Sequence, residues 1–197
     1  SQAEIDEFAR GLPDVVRGMR INAEWEAVVV GRWLTAFTPT CIKDFEIGDI
    51  PGGARVIAGR DPAVGKSGQQ AAVLWAFHPG TKVRSLVDID VRVAGGPSHM
   101  REVTRLWYER YGCSEWVFED NAAQSGWLED QEYRDFTSKH GIQVHAQTTT
   151  AQTKWDPNMG VLHQFGLIRR DPPLIDLPWG DEDTRAKVRV LIHQWLN

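Results

Sequence analysis

From residue 51 onward, apolar and polar positions alternate in short blocks separated by turn residues. Ala54 to Ala63 reads as a strand that ends in Arg60-Asp61-Pro62. A Gly/Ser turn, Gly65 to Gly68, leads into a second strand over Ala71 to Phe77. Pro79-Gly80 then turns the chain into a third strand, Val83 to Val93. Short turns between successive strands predict an antiparallel meander. The period changes after that: Met100, Val103, Leu106 and Trp107 recur at helical spacing within Pro97 to Tyr111, and Gly112 closes the helix. Trp116 to Phe118 is a short apolar strand running into Glu119-Asp120-Asn121. Trp127 to His140 is a second helix stopped by Gly141, and Ile142 to Ala146 is a fifth strand.

Three antiparallel strands followed by helix-linked parallel ones predict an α/β protein, a mixed five-stranded sheet flanked by helices. This order of elements belongs to the ribonuclease-H-like fold. It sets the end of the first strand beside the loop after the fourth, so Asp61 and Glu119 become neighbours despite their distance in sequence.

Residues 1–50 have a different character. Ala3 to Arg20 is an amphipathic helical pattern broken at Gly11, Leu12 and Pro13. Trp25 to Phe37 carries Val28, Val29, Val30, Trp33 and Leu34 before Pro39 ends it. With too little apolar mass for a core of its own, this segment is expected to be an arm or linker over 1–50, packing on a main domain over 51–197.

Composition narrows the class. Hydrophobic residues at 42% and charged residues at 25% fit an ordinary soluble globular chain. No apolar run approaches the ~18 residues that span a bilayer, and Ser1 opens no signal-peptide pattern, so no membrane partner is expected. The net charge of -5 argues against gripping nucleic acid by bulk charge. It leaves room for an enzyme whose carboxylates hold cations while basic residues line one face. Cys41 and Cys113 lack CxxC spacing and read as reduced thiols, not a disulfide or a zinc site. Nine Trp residues are assigned mainly to packing.

The candidate chemistry sits at strand ends. Two-metal phosphodiester hydrolysis needs carboxylates converging on one point, and Mg²⁺ takes hard oxygen ligands. Asp61 ends an apolar strand, where an acid is costly to desolvate without a cation. Before Pro62 it is equally a turn-initiating residue. Glu119 and Asp120 repeat the situation; alternation lets only one share the active face, which selects Glu119 and leaves Asp120 or Asn121 as a cap. Lys154, at the end of the polar run from Gln147, is placed to reach a phosphate or the carboxylates. Gly65-Lys66-Ser67 is no P-loop: Gly59 is one residue too early for the spacing, and a strand pattern follows where a helix is required. The six histidines form no HxH or HExxH pattern, although His145 lies in a strand that faces the site. Arg101, Arg105 and Arg110 read as a solvated helix face, with Arg169-Arg170 another basic pair near the end.

In sequence order these motifs resemble the nuclease domain of bacteriophage terminase large subunits. The resemblance is carried by Met19-Arg20-Ile21-Asn22-Ala23-Glu24-Trp25, by Gly59-Arg60-Asp61-Pro62-Ala63, and by Val117-Phe118-Glu119-Asp120-Asn121 with the turn Ala122 to Gly126. Thr148 to Lys154, Trp155-Asp156-Pro157-Asn158-Met159-Gly160-Val161 and the strand end Ile175-Asp176-Leu177-Pro178-Trp179-Gly180 complete it. It implies a Mg²⁺- or Mn²⁺-dependent endodeoxyribonuclease that cuts double-stranded DNA with two metal ions. Asp61 bridges both ions, Glu119 holds one, and Lys154 stabilises charge or orients the strand. The implied partners are an ATPase domain, a portal protein and a small terminase subunit, in the cytoplasm of an infected bacterial host. A third acid is expected beyond Asn197, with Asp183 or Asp181 as the in-chain alternative. Walker motifs are absent from the sequence, as expected for an isolated nuclease domain. The competing readings are another ribonuclease-H-like enzyme (transposase, integrase or resolvase) and a non-catalytic docking module.

Overall fold

The structure, a computed structural model, describes residues 39–62, 69–93, 96–120, 128–154, 156, 158, 161–168 and 170–196. Most of the expected arm lies outside these residues, as do the Gly65 to Gly68 segment and the turn Ala122 to Gly126.

The central strands match the expected order. Strands β2 (Arg55–Asp61), β3 (Gln69–Phe77) and β4 (Arg84–Val93) form the antiparallel meander, in register from Arg55 opposite Phe77 and from Phe77 opposite Arg84. Helix α1 (Pro97–Tyr111) crosses to β5 (Glu115–Glu119), which pairs parallel with β2. Helix α2 (Gln131–His140) crosses to β6 (Gln143–Gln147), parallel to β5. The five strands therefore lie in the order β4-β3-β2-β5-β6, the ribonuclease-H-like arrangement.

The sheet has seven strands, not five. Strand β7 (Ile175–Pro178) joins the free edge of β4 in parallel, and β1 (Ile42–Lys43) pairs with β7 beyond it. The end of the 1–50 segment is thus part of the sheet. A buried β4 needs a partner on that edge because unpaired backbone groups are costly inside a protein. The loop after β1 extends the cover, with the Gly48 N–H donating to the Val87 carbonyl at 2.8 Å.

Two cores form on opposite faces because side chains alternate along each strand. On one face, Ala58, Leu74, Val87, Trp116 and Phe118 meet Met100, Val103 and Trp107 of α1 and Tyr133 of α2. Trp107 stacks on Trp116 with ring centroids 5.3 Å apart. On the other face, Leu86 and Ile89 meet Leu167 and Ile168 of α4 (Val161–Ile168) and Val188 and Leu191 of α5 (Glu182–Leu196). A short helix, α3 (Ala151–Lys154), lies between β6 and α4. Helices α1 and α2 end in Gly112 and Gly141, both left-handed, with cap N–H groups bonding back to the last turn.

Candidate active site

Parallel pairing of β2 with β5 does what strand order predicts. Ala58 lies opposite Trp116, Gly59 opposite Val117 and Arg60 opposite Phe118. The next step along both strands brings Asp61 beside Glu119. Odd positions on both strands face away from the Trp116 core, so both acids emerge on the same side of the sheet, at its C-terminal edge. Burial first, then the nearby Glu119 carboxyl, pushes the Asp61 carboxyl above its ordinary range, while Lys154 opposes the shift.

Lys154 reaches the site from α3. Thr150 and Thr153 cap that turn reciprocally: the Thr150 N–H donates to Thr153 Oγ1 at 2.8 Å and the Thr153 N–H to Thr150 Oγ1 at 3.1 Å. The Lys154 N–H donates to the Thr150 carbonyl at 2.8 Å. The cap fixes a turn too short to be stable alone. Asp61, Glu119 and Lys154 line one cleft of about 560 Å³ together with Gln147, Thr149, Thr153 and Gln164.

The remaining sequence candidates lie elsewhere. Asp183 is exposed in the first turn of α5, outside the cleft, and Asp181 caps that helix by accepting from the Thr184 N–H at 2.7 Å. Asp120 does not line the cleft; its N–H donates to the Gln147 carbonyl at 2.9 Å. His145 shares the face of Glu119 but lies near Glu115, 3.8 Å away. Arg101 is paired with Asp130 and Glu132, and Arg105 with Glu109, a salt-bridged helix surface. Asn121, Lys66 and Arg169 are outside the described residues. Among the described residues, no three Asp, Glu, His or Cys side chains converge to hold a metal ion.

Gln164 lines the cleft from outside every motif quoted above, and Gln147 was singled out only as the start of a polar run. For Gln164 a signal existed, since it is an amide beside His163 in the largely apolar stretch Val161–Ile168. Arg60 was quoted only as a motif neighbour, yet it is 4% exposed. Its Nη2 donates to Gln70 Oε1 at 3.2 Å, while Nε and Nη1 have no partner. Burial lowers its pKa and the Asp90 charge opposes that. This guanidinium lies behind the sheet, on the face opposite the carboxylates.

The donor set fits a hard divalent cation. Two neighbouring carboxyls repel when ionised, and a divalent cation between them relieves that repulsion. Besides Lys154 and Arg60, the other polar lining groups are amides and hydroxyls, and among the described residues no imidazole or thiol lines the cleft to suit a softer metal. Thiol chemistry has no support nearby either: Cys113 is buried, and its thiol is pushed up to about 11, chiefly by burial.

No family model matches the chain, and no curated protein matches it. Solved structures to which it is similar include phage large terminase nuclease domains. The nuclease domain of the bacteriophage SPP1 large terminase, with bound Mn, is 14% identical over 78% of this chain and 96% of that one, with a TM-score of 0.41. The large terminase of the thermophilic bacteriophage D6E is 11% identical, with a TM-score of 0.46. That match covers 89% of this chain, which spans 41% of that terminase. Thermus thermophilus RuvC is 16% identical over 72% of this chain and 94% of that one, with a TM-score of 0.43.

Proposed function

We propose that this chain is a divalent-metal-dependent endonuclease domain of the phage terminase kind, cutting double-stranded DNA by phosphodiester hydrolysis. The observation that carries the reading is the Asp61–Glu119 pair: two carboxyls at the ends of adjacent parallel strands, lining one cleft with Lys154. Like charges this close are unfavourable unless a proton or a cation joins them. Asp61 and Glu119 would hold Mg²⁺ or Mn²⁺. A cation bound there would supply activation of the attacking water and stabilisation of the leaving 3′ oxygen. Lys154 holds a non-bridging phosphate oxygen. Gln147, Thr149 and Thr153 position the strand by neutral hydrogen bonds. Among the described residues no third carboxylate lines the cleft; Asp183 is exposed at the start of α5.

The partners that follow from this reading are an ATPase domain, a portal protein and a small terminase subunit, in the cytoplasm of the infected host. Asp61→Asn is expected to abolish plasmid nicking in Mg²⁺ or Mn²⁺ while leaving the circular dichroism spectrum unchanged. Retained nicking by a pure preparation would exclude the assignment. One observation favours a second reading: among the described residues two carboxylates line the cleft, which suits a docking module that has the fold and cuts nothing. A wild-type chain that shows neither nicking nor Mn²⁺ binding by calorimetry would support that module instead.

A further inference from the structure

The cleft does not end at the carboxylates. Past Gly59, Val117 and Gln164, which line both spaces, it continues into a trench of about 650 Å³. The floor is the half-buried sheet face at Ile57, Val73 and Trp75, Gln164 and Leu191 line it from the helices, and Arg84 stands at the far end. From Asp61 to the level of Arg55 the strand rises roughly 20 Å at ~3.3 Å per residue. Among the described residues no carboxylate pairs with Arg84, whose guanidinium lies 5.7 Å from the centroid of the Phe77 ring. The passage between cleft and trench runs over Gly59. A Cβ built there would meet only Val73 Cγ2, at 3.8 Å, which is ordinary contact. Packing therefore does not demand glycine, and glycine weakens a strand interior; close approach of a ligand is one of the few reasons to find it there.

A duplex turns its phosphates outward and stacks its bases inside, so an apolar floor offers it nothing. An unpaired strand presents base faces that stack on aromatic side chains, with a cation for its backbone. We propose that the trench receives an unpaired DNA strand continuing from the phosphate at Asp61 and Glu119. Trp75 is the stacking platform and Arg84 the distal phosphate contact. A duplex carrying a single-stranded extension is then bound in preference to a continuous duplex, which engages the carboxylate cleft alone. The proposal rests on the nuclease reading of the cleft.

Fluorescence anisotropy on the full chain, with Ca²⁺ holding cleavage back, compares a blunt duplex with the same duplex bearing a short single-stranded tail. The tail is expected to tighten binding about tenfold, the effect of one stacked base. Trp75→Ala should remove most of that gain. Arg84→Gln, at a partly exposed side chain that does not line the carboxylate cleft, should remove part of it and leave blunt-duplex affinity unchanged. Equal affinity for tailed and blunt DNA overturns the proposal, as does a tail gain that survives in both variants. So does self-association abolished by Arg84→Gln without any tail effect, which would give the trench to a second copy of the chain. If Asp61→Asn still nicks plasmid while the tail gain depends on Trp75, the catalytic reading falls and the trench stands. If Asp61→Asn abolishes nicking but tails add nothing, the trench falls alone.

Discussion

A carboxyl raised by burial and by a neighbouring acid binds its proton more tightly in the folded protein than in the unfolded chain. For Asp61 this fixes the sign of a pH effect. Below about pH 4 both states are protonated and the pairing with Glu119 costs nothing. As pH rises through the raised folded value, the ionised pair is penalised only in the folded state and stability is lost. Asp61→Asn is therefore expected to raise the melting temperature of the metal-free protein at pH 7.5, with the gain vanishing below about pH 4. Mn²⁺ should reverse the order by stabilising the parent chain and not the variant. Scanning fluorimetry at both pH values, with EDTA or Mn²⁺, reads this directly. A variant less stable than its parent in EDTA at pH 7.5 would contradict the account. Arg60 illustrates the opposite situation one position away: a buried cation whose opposing charge, Asp90, lies on the far face from the cleft.

At the scale of elements, helix ends act as hinges of register. Gly141 closes α2 at φ 65°, its N–H donating to the Ser138 carbonyl, and Ile142 N–H returns to Thr137 at 2.8 Å before β6 begins. Gly141→Ala forces a side chain into the left-handed region at an expected cost of about 1 kcal/mol. The test is a lower urea midpoint at unchanged m value; an unchanged midpoint would mean the cap contributes nothing. The elements legible in the sequence are those long enough to show a period, β2 through β6 and the two crossover helices. Strand β1, two residues long, has no period to read. Strand β7 was visible as the end Ile175 to Pro178 but not as a sheet member, because its parallel pairing with β4 is set by tertiary contact. The same distinction runs through the site. Asp61 with Glu119 followed from strand order, and Lys154 from its polar run. Gln147 and Gln164 reach the cleft only through the placement of β6 and α4, which no local pattern encodes.

For the whole molecule, charge and topology set the limits. Among the described residues, and apart from the buried Arg60, the one cation lining the carboxylate cleft is Lys154, on a chain of net charge -5. Each phosphate neutralised on duplex DNA contributes about -0.9 to the slope of log affinity against log salt. Binding of blunt duplex to the chain alone is expected to be weak, with a slope near -1 that Lys154→Gln moves toward zero. A measured slope steeper than about -5 would locate a basic surface outside the cleft. The pairing of β2 with β5 has a consequence of another kind, in time. Arg55 and Glu115, joined across those strands, are 60 residues apart in sequence, and Lys154 follows later still. Long-range pairing of this kind is slow to form because loop closure precedes the contacts that reward it. On the ribosome the two carboxylates meet only after the α1 crossover has been made, and they face Lys154 only after β6 and α3. A growing chain therefore holds both acids on paired strands before the residues that face them have been added.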